Sequence, residues 1–540
     1  MNLKLMLIRK FIILFIFTAF LPAYGQYDYY IGNIYIDNRP VFEKGTDDWF
    51  FAAPLLNALH VTTKPFVISD ELLFKEGELL DERLLSETER NLRATGLFTD
   101  AGIELDSIDH TTYDVYVVTE DKWSLYPYPL FGTGGGYTRY GGRLNEKNFL
   151  GLGADIFVEA LHRSENDIGW QGQFYYNHRR IFRSEFTFFT NIIANKFKTL
   201  DTFRLEKPYR TLSTNTAYGA EVINNFGSDF LYRGDSLRLL GFHEKRAKGW
   251  FSNAWWRKDR VFITGLVEWQ DVERPSEEFS RAYDNTGSVL AGFGSIAREF
   301  YTVDKVNSYL TEDLVIGGWG QAVIGRGIPI GSGGESLFYV GGRGEQSYYT
   351  DELYLFGQLT GASAFSRNRA KNTYFEILGH GFYRLSESLV LGARVRHQNV
   401  WNWDGLRQLI LDTDYGIRGY RLNEYVGDNR LISNLELRFF PDLEFWIINV
   451  SGSVFVDAGA VWNQDTDLIA APLKKSAGIG LQLHNMKSSG PGSVFRIDLA
   501  YNFEENKFGE VILSSDWLFS FFKNHVFELP QIFGLEFDSE

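Results

Sequence analysis

Residues 494–503 read Val-Phe-Arg-Ile-Asp-Leu-Ala-Tyr-Asn-Phe, a run in which apolar and polar side chains alternate. In a β-strand successive side chains point to opposite faces, so this alternation predicts a strand with one apolar and one polar face. The apolar face would carry Phe495, Ile497, Leu499, Tyr501 and Phe503. The polar face would carry Arg496, Asp498, Ala500 and Asn502.

The same alternation recurs between residues 122 and 521, in ten-residue segments that are separated by turns rich in glycine, asparagine, aspartate and serine. Charges and amides repeat on one face, and aromatic residues stand near the segment ends on the other face. This pattern is typical of a transmembrane antiparallel β-barrel with a polar lumen and a lipid-facing apolar band. A soluble β-sandwich is the alternative, but it would bury its apolar face and expose many lysines.

The strand count follows from the number of such segments. Between sixteen and nineteen can be marked, and the stretch from Ser336 to Arg369 divides in more than one way. Bacterial single-chain barrels have even strand numbers, so we predict sixteen strands. The predicted fold class is therefore mainly β, with a sixteen-stranded barrel at residues 122–521 and one small α/β domain before it.

Length and composition agree with that plan. The chain has 540 residues, which suits one small domain and one large barrel. A formal net charge of −15 argues against a nucleic-acid partner, whose phosphates require a basic face. The chain contains no cysteine, so disulfide use cannot indicate the compartment.

The N-terminus is typical of a targeting segment. A positive start, formed by Lys4, Arg9 and Lys10, precedes a short apolar run and then small residues that suit cleavage before Gln26. We therefore predict a signal peptide at residues 1–25. An uncleaved membrane anchor is the alternative, but the apolar run is shorter than the ~20 residues that a spanning helix needs.

Residues 28–121 predict a mixed α/β domain in the periplasm. The pattern predicts an element order of β-α-α-β-β. The predicted strands are Ile31–Ile36, Ala101–Leu105 and Thr112–Val118, and the predicted helices run from Phe66 to Glu76 and from Asp81 to Gly96.

Two stretches of this region, residues 63–77 and 84–98, resemble a POTRA domain. In that family a helix, an acidic-glycine turn, a second helix and a Gly-x-Phe exit recur in this order, as they do here. The alternative is a generic α/β sandwich domain. Residues 40–62 form a longer insertion than the POTRA family usually has, and their role is open.

Three places in the barrel region resemble the BamA/TamA superfamily, also called bacterial surface antigen barrels. Residues 145–153 resemble the periplasmic turn between that family's second and third strands, through Glu146, Asn148, Phe149 and Gly151. Residues 415–420, Tyr-Gly-Ile-Arg-Gly-Tyr, resemble the motif of the sixth extracellular loop. Residues 434–439 and 454–462 resemble the twelfth and thirteenth strands, each with one inward acid.

The resemblance implies that Arg418, in a loop with Gly419 and Tyr420, lies inside the lumen. Alternation along the strands independently places Glu436 and Asp457 on the polar face, where the arginine would bind them. A guanidinium can hold two carboxylates because it offers five donors in a fixed fork. The alternative is an exposed loop arginine and two ordinary lumen acids.

The first barrel strand contains four glycines, Gly132, Gly134, Gly135 and Gly136, which leave it few side chains for packing. In the BamA/TamA superfamily, the seam between the first and last strands is a lateral gate, so the resemblance implies a gate here. A kink that curves the barrel is the alternative. Residues 522–540 extend past the last predicted strand, and we expect them in the periplasm.

No Gly-x-Ser-x-Gly elbow, HExxH sequence or cysteine-based metal site is present, so we predict no enzyme activity, no cofactor and no metal site. The resemblance implies an outer-membrane pore of the protein insertion or translocation type. Its partners would be the outer-membrane lipid bilayer, unfolded client polypeptides, and periplasmic chaperones or lipoproteins. The alternatives are a passive porin-like channel and an outer-membrane hydrolase.

Overall fold

The computed structural model describes residues 28–41, 60–211, 213–233, 236–255, 259–309, 312–331, 335–367, 369–445, 448–485, 494–509, 511–514 and 527–539. The chain divides into two compact units, Met1–Trp123 and Ser124–Glu540. The predicted signal peptide, most of the 40–62 insertion, and residues 515–526 of the last strand and extension lie outside the described residues.

The N-terminal unit is a three-stranded sheet with two helices. Its strands are β1 (Tyr30–Arg39), β2 (Phe98–Ser107) and β3 (Thr112–Asp121), and its helices are α1 (Pro65–Ser69) and α2 (Glu82–Ala94). The central strand β3 pairs in parallel with β1 and antiparallel with β2. Ile31, Ile68, Phe74, Leu92 and Val115 are buried between sheet and helices. Among the described residues no helix has the length and apolar character to cross a membrane.

The first predicted helix is much shorter than expected. It ends at Ser69, where Glu71 N–H donates to Ile68 O (3.0 Å) in a turn, and further along Gly77 N–H donates to Ile31 O (2.8 Å) and Ile31 N–H donates to Glu78 O (2.9 Å). With only two helices in the described residues, one of them a single turn, the unit shows no clear POTRA domain. That part of the predicted fold class is therefore corrected.

The second unit is a closed antiparallel barrel. Its first strands are β4 (Leu125–Gly134), β5 (Tyr137–Glu146), β6 (Ala154–Arg163), β7 (Gly169–His178), β8 (Thr187–Ala194), β9 (Lys198–Lys207), β10 (Thr216–Arg233), β11 (Ser236–Trp255), β12 (Arg260–Glu273) and β13 (Thr286–Val303). They continue with β14 (Glu312–Pro329), β15 (Leu337–Tyr349), β16 (Leu353–Ser366), β17 (Arg369–Ser386) and β18 (Leu389–Trp401).

The long loop after β18 contains a small two-stranded sheet, β19 (Leu409–Leu411) and β20 (Tyr425–Gly427). The barrel then resumes with β21 (Asn429–Phe439), β23 (Ile448–Trp462), β24 (Lys474–Asn485), β25 (Val494–Asn502) and β27 (Ile512–Ser514). Two-residue segments, β22 (Glu444–Phe445) and β26 (Lys507–Phe508), are attached at the edges of these strands.

The barrel has twenty strands in its described residues, not sixteen. The prediction was wrong because several hairpins turn within two or three residues, such as the turn at 350–352 between β15 and β16, so that two strands read as one long segment. In consequence β21 and β23 are the sixteenth and seventeenth strands, not the twelfth and thirteenth.

The alternation along the strands separates the outside of the barrel from the lumen. In β21, Leu435 and Phe439 are exposed on the outside, whereas Asn434, Glu436 and Arg438 are buried on the lumen side. An apolar exterior around a polar interior is the arrangement that a barrel needs in lipid, because the outward side chains contact the acyl chains.

The described part of the C-terminal extension lies inside the barrel, not outside it as expected. Its described part, residues 527–539, contacts the lumen side of β12, β14, β15 and β17 and the loop after β18. The expectation was wrong because a polar, acidic end suits solvent, but this one instead meets arginines on the lumen wall.

Candidate functional site

Arg418 lies at the tip of the loop between β18 and β21, which we call the lumen loop (residues 402–428). The Asp412 carboxylate accepts hydrogen bonds from the backbone N–H groups of Asp414 (2.9 Å), Tyr415 (3.0 Å) and Asn423 (2.7 Å), which tie the two arms of the tip together. This tight tip carries Arg418 into the barrel.

Two glycines beside Arg418 let the tip fit against the wall. Gly416 and Gly419 have φ of +113° and +86°, a region that residues with a Cβ rarely adopt. A Cβ at Gly419 would lie 2.9 Å from the Cβ of Ala500 in β25. Glycine is therefore needed at 419 both for the backbone angle and for the close approach to the barrel wall.

The Arg418 guanidinium binds two carboxylates from neighbouring strands. Its Nε and Nη2 donate to Asp457 Oδ2 (2.8 Å) and Oδ1 (2.9 Å), and its Nη1 donates to Glu436 Oε2 (3.0 Å). The Arg418 backbone N–H also donates to Asp457 Oδ2 (3.2 Å). All three residues are buried, so these are charge-assisted hydrogen bonds in a site from which water is largely excluded.

Further residues complete this cluster, which we call the Arg418 cluster: Arg418, Glu436, Asp457, Asn434, Arg438, Arg496, Asp498 and Phe455. Arg438 Nε donates to Glu436 Oε1 (2.8 Å), and Arg496 Nε lies 3.0 Å from Asp498 Oδ2. Three arginines thus face three acids. The Arg418 guanidinium carbon lies 3.3 Å from the centre of the Phe455 ring, a cation–π contact.

Asn434 links the cluster to the loop tip. Its Nδ2 donates both to Asp457 Oδ1 (2.8 Å) and to Gly416 O (2.8 Å). Burial lowers the pKa of the Arg418 guanidinium, but the carboxylates of Asp457 and Glu436 raise it by more, so this pKa lies above its ordinary value. The arginine therefore stays charged, and the adjacent carboxylates of Asp457 and Glu436 compensate its charge.

The lumen loop also reaches both sides of the barrel seam. On one side, Tyr420 OH donates to Lys475 O (2.9 Å) in β24. On the other, Asp414 accepts from Tyr137 OH (2.9 Å) and Arg139 Nη2 (3.0 Å) in β5. Leu422 N–H donates to the carbonyl of Gly135 in the turn between β4 and β5 (2.9 Å). The Arg418 cluster is therefore mechanically connected to the strands that close the barrel.

A closed antiparallel barrel with an apolar exterior and a polar lumen is the architecture of an outer-membrane protein. The sequence matches no family model and no curated protein. The structure does match solved ones. Its structural neighbours include BamA and CdiB.

BamA from Haemophilus ducreyi, lacking POTRA domains 1–3, is 13% identical over 90% of this chain and 84% of that chain, with a TM-score of 0.42. CdiB from Acinetobacter baumannii is 10% identical over 90% of this chain and 73% of that chain, with a TM-score of 0.44. The FrpB iron transporter from Neisseria meningitidis is 9% identical over 89% and 88%, with a TM-score of 0.35. At these identities and TM-scores the likeness carries no function from one chain to another.

The four predicted seam glycines divide between a strand and a turn. Gly132 and Gly134 lie in β4, whereas Gly135 and Gly136 form the two-residue turn to β5 with φ of +61° and +88°. Such a turn requires positive φ at both central positions. In the described residues the seam is one residue pair, Thr133 with Leu513.

Two prolines weaken the seam edge of β4. Lys147 N–H donates to Ser124 O (3.0 Å), so the ladder alternation directs even-numbered residues of β4 to β5 and odd-numbered ones to the seam. Pro127 and Pro129 therefore remove two N–H donors from the seam edge, since proline has none. Both lie inside β4.

The predicted periplasmic turn joins β5 and β6. Asn148 is buried there, and its N–H donates to Glu146 Oε1 (2.8 Å), while its side chain accepts from Gly153 N–H (2.9 Å). Phe149 and Gly151 lie in the single 3-10 turn that follows, where Gly151 has a φ of +71°. The turn is thus closed by its own polar side chains.

Sequence reasoning missed several lumen residues. Asp498 was assigned to the polar face of its strand but not to the cluster, and the inward position of Arg438 was readable from the same alternation. A buried Ser–His contact was also missed: Ser451 Oγ lies 2.7 Å from His484 Nε2, and the imidazole packs against Tyr309 and Phe440. This pair is buried inside the barrel, so it offers no accessible nucleophile.

Proposed function

We propose that this protein is an outer-membrane pore of the insertion or translocation type, which takes unfolded polypeptide from the periplasm and passes it into or across the outer membrane. It does so without a cofactor and without enzyme activity. The observation that carries the proposal is the Arg418 cluster, because it holds the lumen loop against the strands beside a seam whose β4 edge lacks the N–H donors of Pro127 and Pro129.

The seam supports the same reading. A strand edge that lacks two N–H donors is a poor partner for its neighbour but remains able to accept hydrogen bonds through its carbonyls. An incoming extended chain could pair there by strand addition, the mode in which main-chain hydrogen bonds provide the affinity. The lumen loop contacts both flanks of this edge and would keep the rest of the barrel closed meanwhile.

The N-terminal unit would receive the polypeptide first. Strand β2 lies at the edge of the three-stranded sheet, where a client segment could add by the same main-chain pairing. Crosslinking from β2 in living cells would capture such clients. Periplasmic chaperones or lipoproteins remain predicted partners of this step.

A passive porin-like channel is the second candidate. Against it stands the content of the lumen, which holds both the lumen loop and residues 527–539 of the C-terminal extension. A channel for free diffusion would need an open path. For the hydrolase alternative, the part of the chain that the structure describes offers the buried Ser451–His484 pair, and replacing Ser451 by alanine should leave detergent-solubilised lipase and protease assays unchanged.

The test is a comparison of outer-membrane proteomes. We expect cells with Arg418→Ala, at unchanged barrel abundance, to lose a small set of outer-membrane or secreted proteins, as cells depleted of the protein do. Arg421→Ala, an exposed arginine in the same loop, is the matched control and should lose none. An unchanged proteome together with altered solute uptake on depletion would favour the passive channel instead.

A further inference from the structure

The C-terminal tail, which we define as residues 527–539, lines the lumen along the height of the barrel. It starts at Phe527, whose ring contacts Phe262 at the beginning of β12. It ends at Ser539, whose Oγ accepts from the N–H of Phe230 near the end of β10 (3.1 Å). Strands β10 and β12 run in the same direction and begin at the same end of the barrel. The contact at the beginning of β12 and the contact near the end of β10 therefore lie towards opposite ends of the barrel.

Much of the attachment uses the tail backbone. The Asp538 N–H donates to Gln408 O (2.8 Å), and Asp538 O accepts from Gln408 Nε2 (2.7 Å). Phe533 N–H donates to Tyr339 OH (2.9 Å), and Glu528 O accepts from Gln321 Nε2 (2.9 Å). Backbone pairing of this kind does not depend on side-chain identity, so another extended chain could make it.

The side chains add charge selectivity. Glu528 Oε2 accepts from Arg343 (3.0 Å), Glu536 Oε2 from Arg407 (3.4 Å), and Asp538 Oδ2 from Arg430 (2.6 Å). Two arginines of the barrel strands, Arg343 and Arg430, and one of the lumen loop, Arg407, therefore meet three tail acids. These contacts favour an acidic chain because each of the three arginines donates a charge-assisted hydrogen bond to a tail carboxylate.

The aromatic residues of the tail alternate with these acids. Phe533 is buried beside Tyr339 and under Arg343, and the Phe537 ring lies 3.5 Å from the Arg281 guanidinium carbon. Arginine over an aromatic face is attractive, most of all away from bulk water. These contacts therefore favour the binding of a chain in which acidic and aromatic side chains alternate.

One glycine fits the tail to the wall. Gly534 has a φ of +91°, and a Cβ there would lie 2.8 Å from Trp403 Cη2 and 2.9 Å from Tyr374 Cδ2. Both clashing atoms belong to rings, which cannot yield as a flexible chain end would. A larger residue at 534 would therefore push the tail off the wall without altering any wall residue.

The lumen leaves room beside the tail. A cavity of about 830 Å³ is bordered on one side by tail residues from Phe527 to Ile532, and on the other by Arg204, Arg246 and Trp250 of the barrel wall. A second extended segment entering here would lie next to the tail, in position to compete for its contacts.

We infer that this part of the lumen wall is a binding site for an extended polypeptide segment with alternating acidic and aromatic side chains, that the tail is its resident occupant, and that a client segment displaces the tail. The inference deepens the proposed function and rests on it for the identity of the displacing chain. In the resting protein the tail closes the pore to ions.

Planar-bilayer conductance tests the resident occupant. We expect the chain lacking residues 527–540 to conduct steadily, with a mean current at least roughly tenfold above the full chain, whose openings would be brief. Gly534→Leu in the full chain should raise the current likewise, and Leu535→Ala, at a partly exposed tail position, is its matched control. Heat-modifiable migration in gels verifies that each barrel is folded.

A synthetic peptide of residues 527–540 tests the site. Added to the truncated barrel, it should block the current in proportion to its occupancy. The same peptide with Glu528→Gln, Glu536→Gln and Asp538→Asn should bind at least roughly tenfold more weakly, because charged hydrogen bonds contribute most to such contacts. Equal block by both peptides would overturn the predicted preference for acids.

A disulfide tests displacement. The Cβ of Pro530 lies 3.0 Å from where a Cβ at Gly292 would stand, about 0.5 Å below the usual Cβ–Cβ range of disulfides, so a small outward shift of the tail allows the bond, and the chain has no other cysteine. The Gly292→Cys, Pro530→Cys variant should show no pore openings when it is oxidised and should open again when it is reduced. Client insertion should be lost and regained under the same conditions.

Two results separate this inference from the proposed function. If the truncated barrel conducts no more than the full chain, or if the peptide does not block it, the tail is not the resident occupant of the site. This conclusion would hold even if the Arg418→Ala cells lose clients. If the tail blocks the pore but the outer-membrane proteome of the Arg418→Ala cells is unchanged, the tail is a plug. That result would overturn the inference that clients displace it.

Discussion

The lumen holds two segments of the chain, the Arg418 tip of the lumen loop and the C-terminal tail, and both are attached through arginine–carboxylate pairs. They differ in burial. Arg418, Glu436 and Asp457 are 1%, 2% and 0% exposed at their side chains. Two of the three tail acids, Glu528 and Glu536, are 30% and 38% exposed, and the third, Asp538, is 12% exposed.

This difference separates a permanent anchor from a displaceable one. Removing one partner of a buried pair leaves an uncompensated charge and costs ~3–5 kcal/mol, whereas a partly exposed pair contributes about 1 kcal/mol or less because water replaces the lost partner. The lumen therefore contains one segment that the fold requires and one that it can release.

The largest expected effect is that of Arg418→Ala. It leaves Asp457 without its main partner and Glu436 with Arg438 alone, so we expect the free energy of unfolding in lipid to fall by ~3–5 kcal/mol. Denaturant titration of the barrel in bilayers, read by heat-modifiable migration, measures it. Arg418→Lys should recover less than half, since an ammonium cannot bridge two carboxylates as a planar fork does.

The control for this substitution is Arg421→Ala in the same loop, which should change the free energy of unfolding by no more than about 0.5 kcal/mol. A full rescue by lysine at position 418 would mean that charge alone, and not the fork geometry, holds the loop.

The second prediction separates the two acids of the cluster. Asp457 accepts three hydrogen bonds from Arg418 and one from Asn434, whereas Glu436 accepts one from Arg418 and one from Arg438. Asp457→Asn should therefore cost about 3 kcal/mol and Glu436→Gln about 2 kcal/mol in the same titration. The reverse order would show that Arg438, not Arg418, dominates.

The third prediction concerns the tail. Glu536→Gln should lower the free energy of unfolding by about 1 kcal/mol or less, because this carboxylate is partly exposed. It should nevertheless increase the open time of the pore several-fold, since the tail is released more often. Parallel unfolding and conductance measurements on one preparation check both, and a large loss of stability without a change in conductance would make the tail an ordinary structural element.

The smallest expected effect lies at the seam. Pro129→Val restores one N–H on the seam edge of β4, which should stabilise the barrel by about 0.5–1.5 kcal/mol and slow client insertion. Leu130→Val, whose N–H faces β5, is the matched control. Faster insertion in the Pro129 variant would argue that clients leave by another route.

Part of this arrangement was predictable from the sequence. The period-two alternation put Glu436 and Asp457 on the lumen face, and the glycines beside Arg418 indicated a tight tip. The resemblance to the BamA/TamA superfamily then implied that the arginine meets these acids. Each of these inferences rests on local spacing, which the sequence shows directly.

The strand number and the tail were not predictable in that way. The strand number depends on where the hairpins turn. Two-residue turns such as Gly135-Gly136 are weak sequence signals, so the sequence does not separate twenty strands from sixteen. The position of the tail depends on contacts between residues 108 to 309 positions apart. The alternation of Glu528, Phe533, Glu536 and Phe537 with Gly534 was the one available signal, and it has meaning only once the wall arginines are known.

The coupling energy between Arg418 and Asp457 tests the buried anchor most directly. A double-mutant cycle with Arg418→Met and Asp457→Asn, unfolded in lipid bilayers, should give a coupling of about 3 kcal/mol, against no more than about 1 kcal/mol for Arg407 with Glu536. Equal couplings for the two pairs, or a coupling below about 0.5 kcal/mol at Arg418, would contradict the distinction between a fixed loop and a releasable tail.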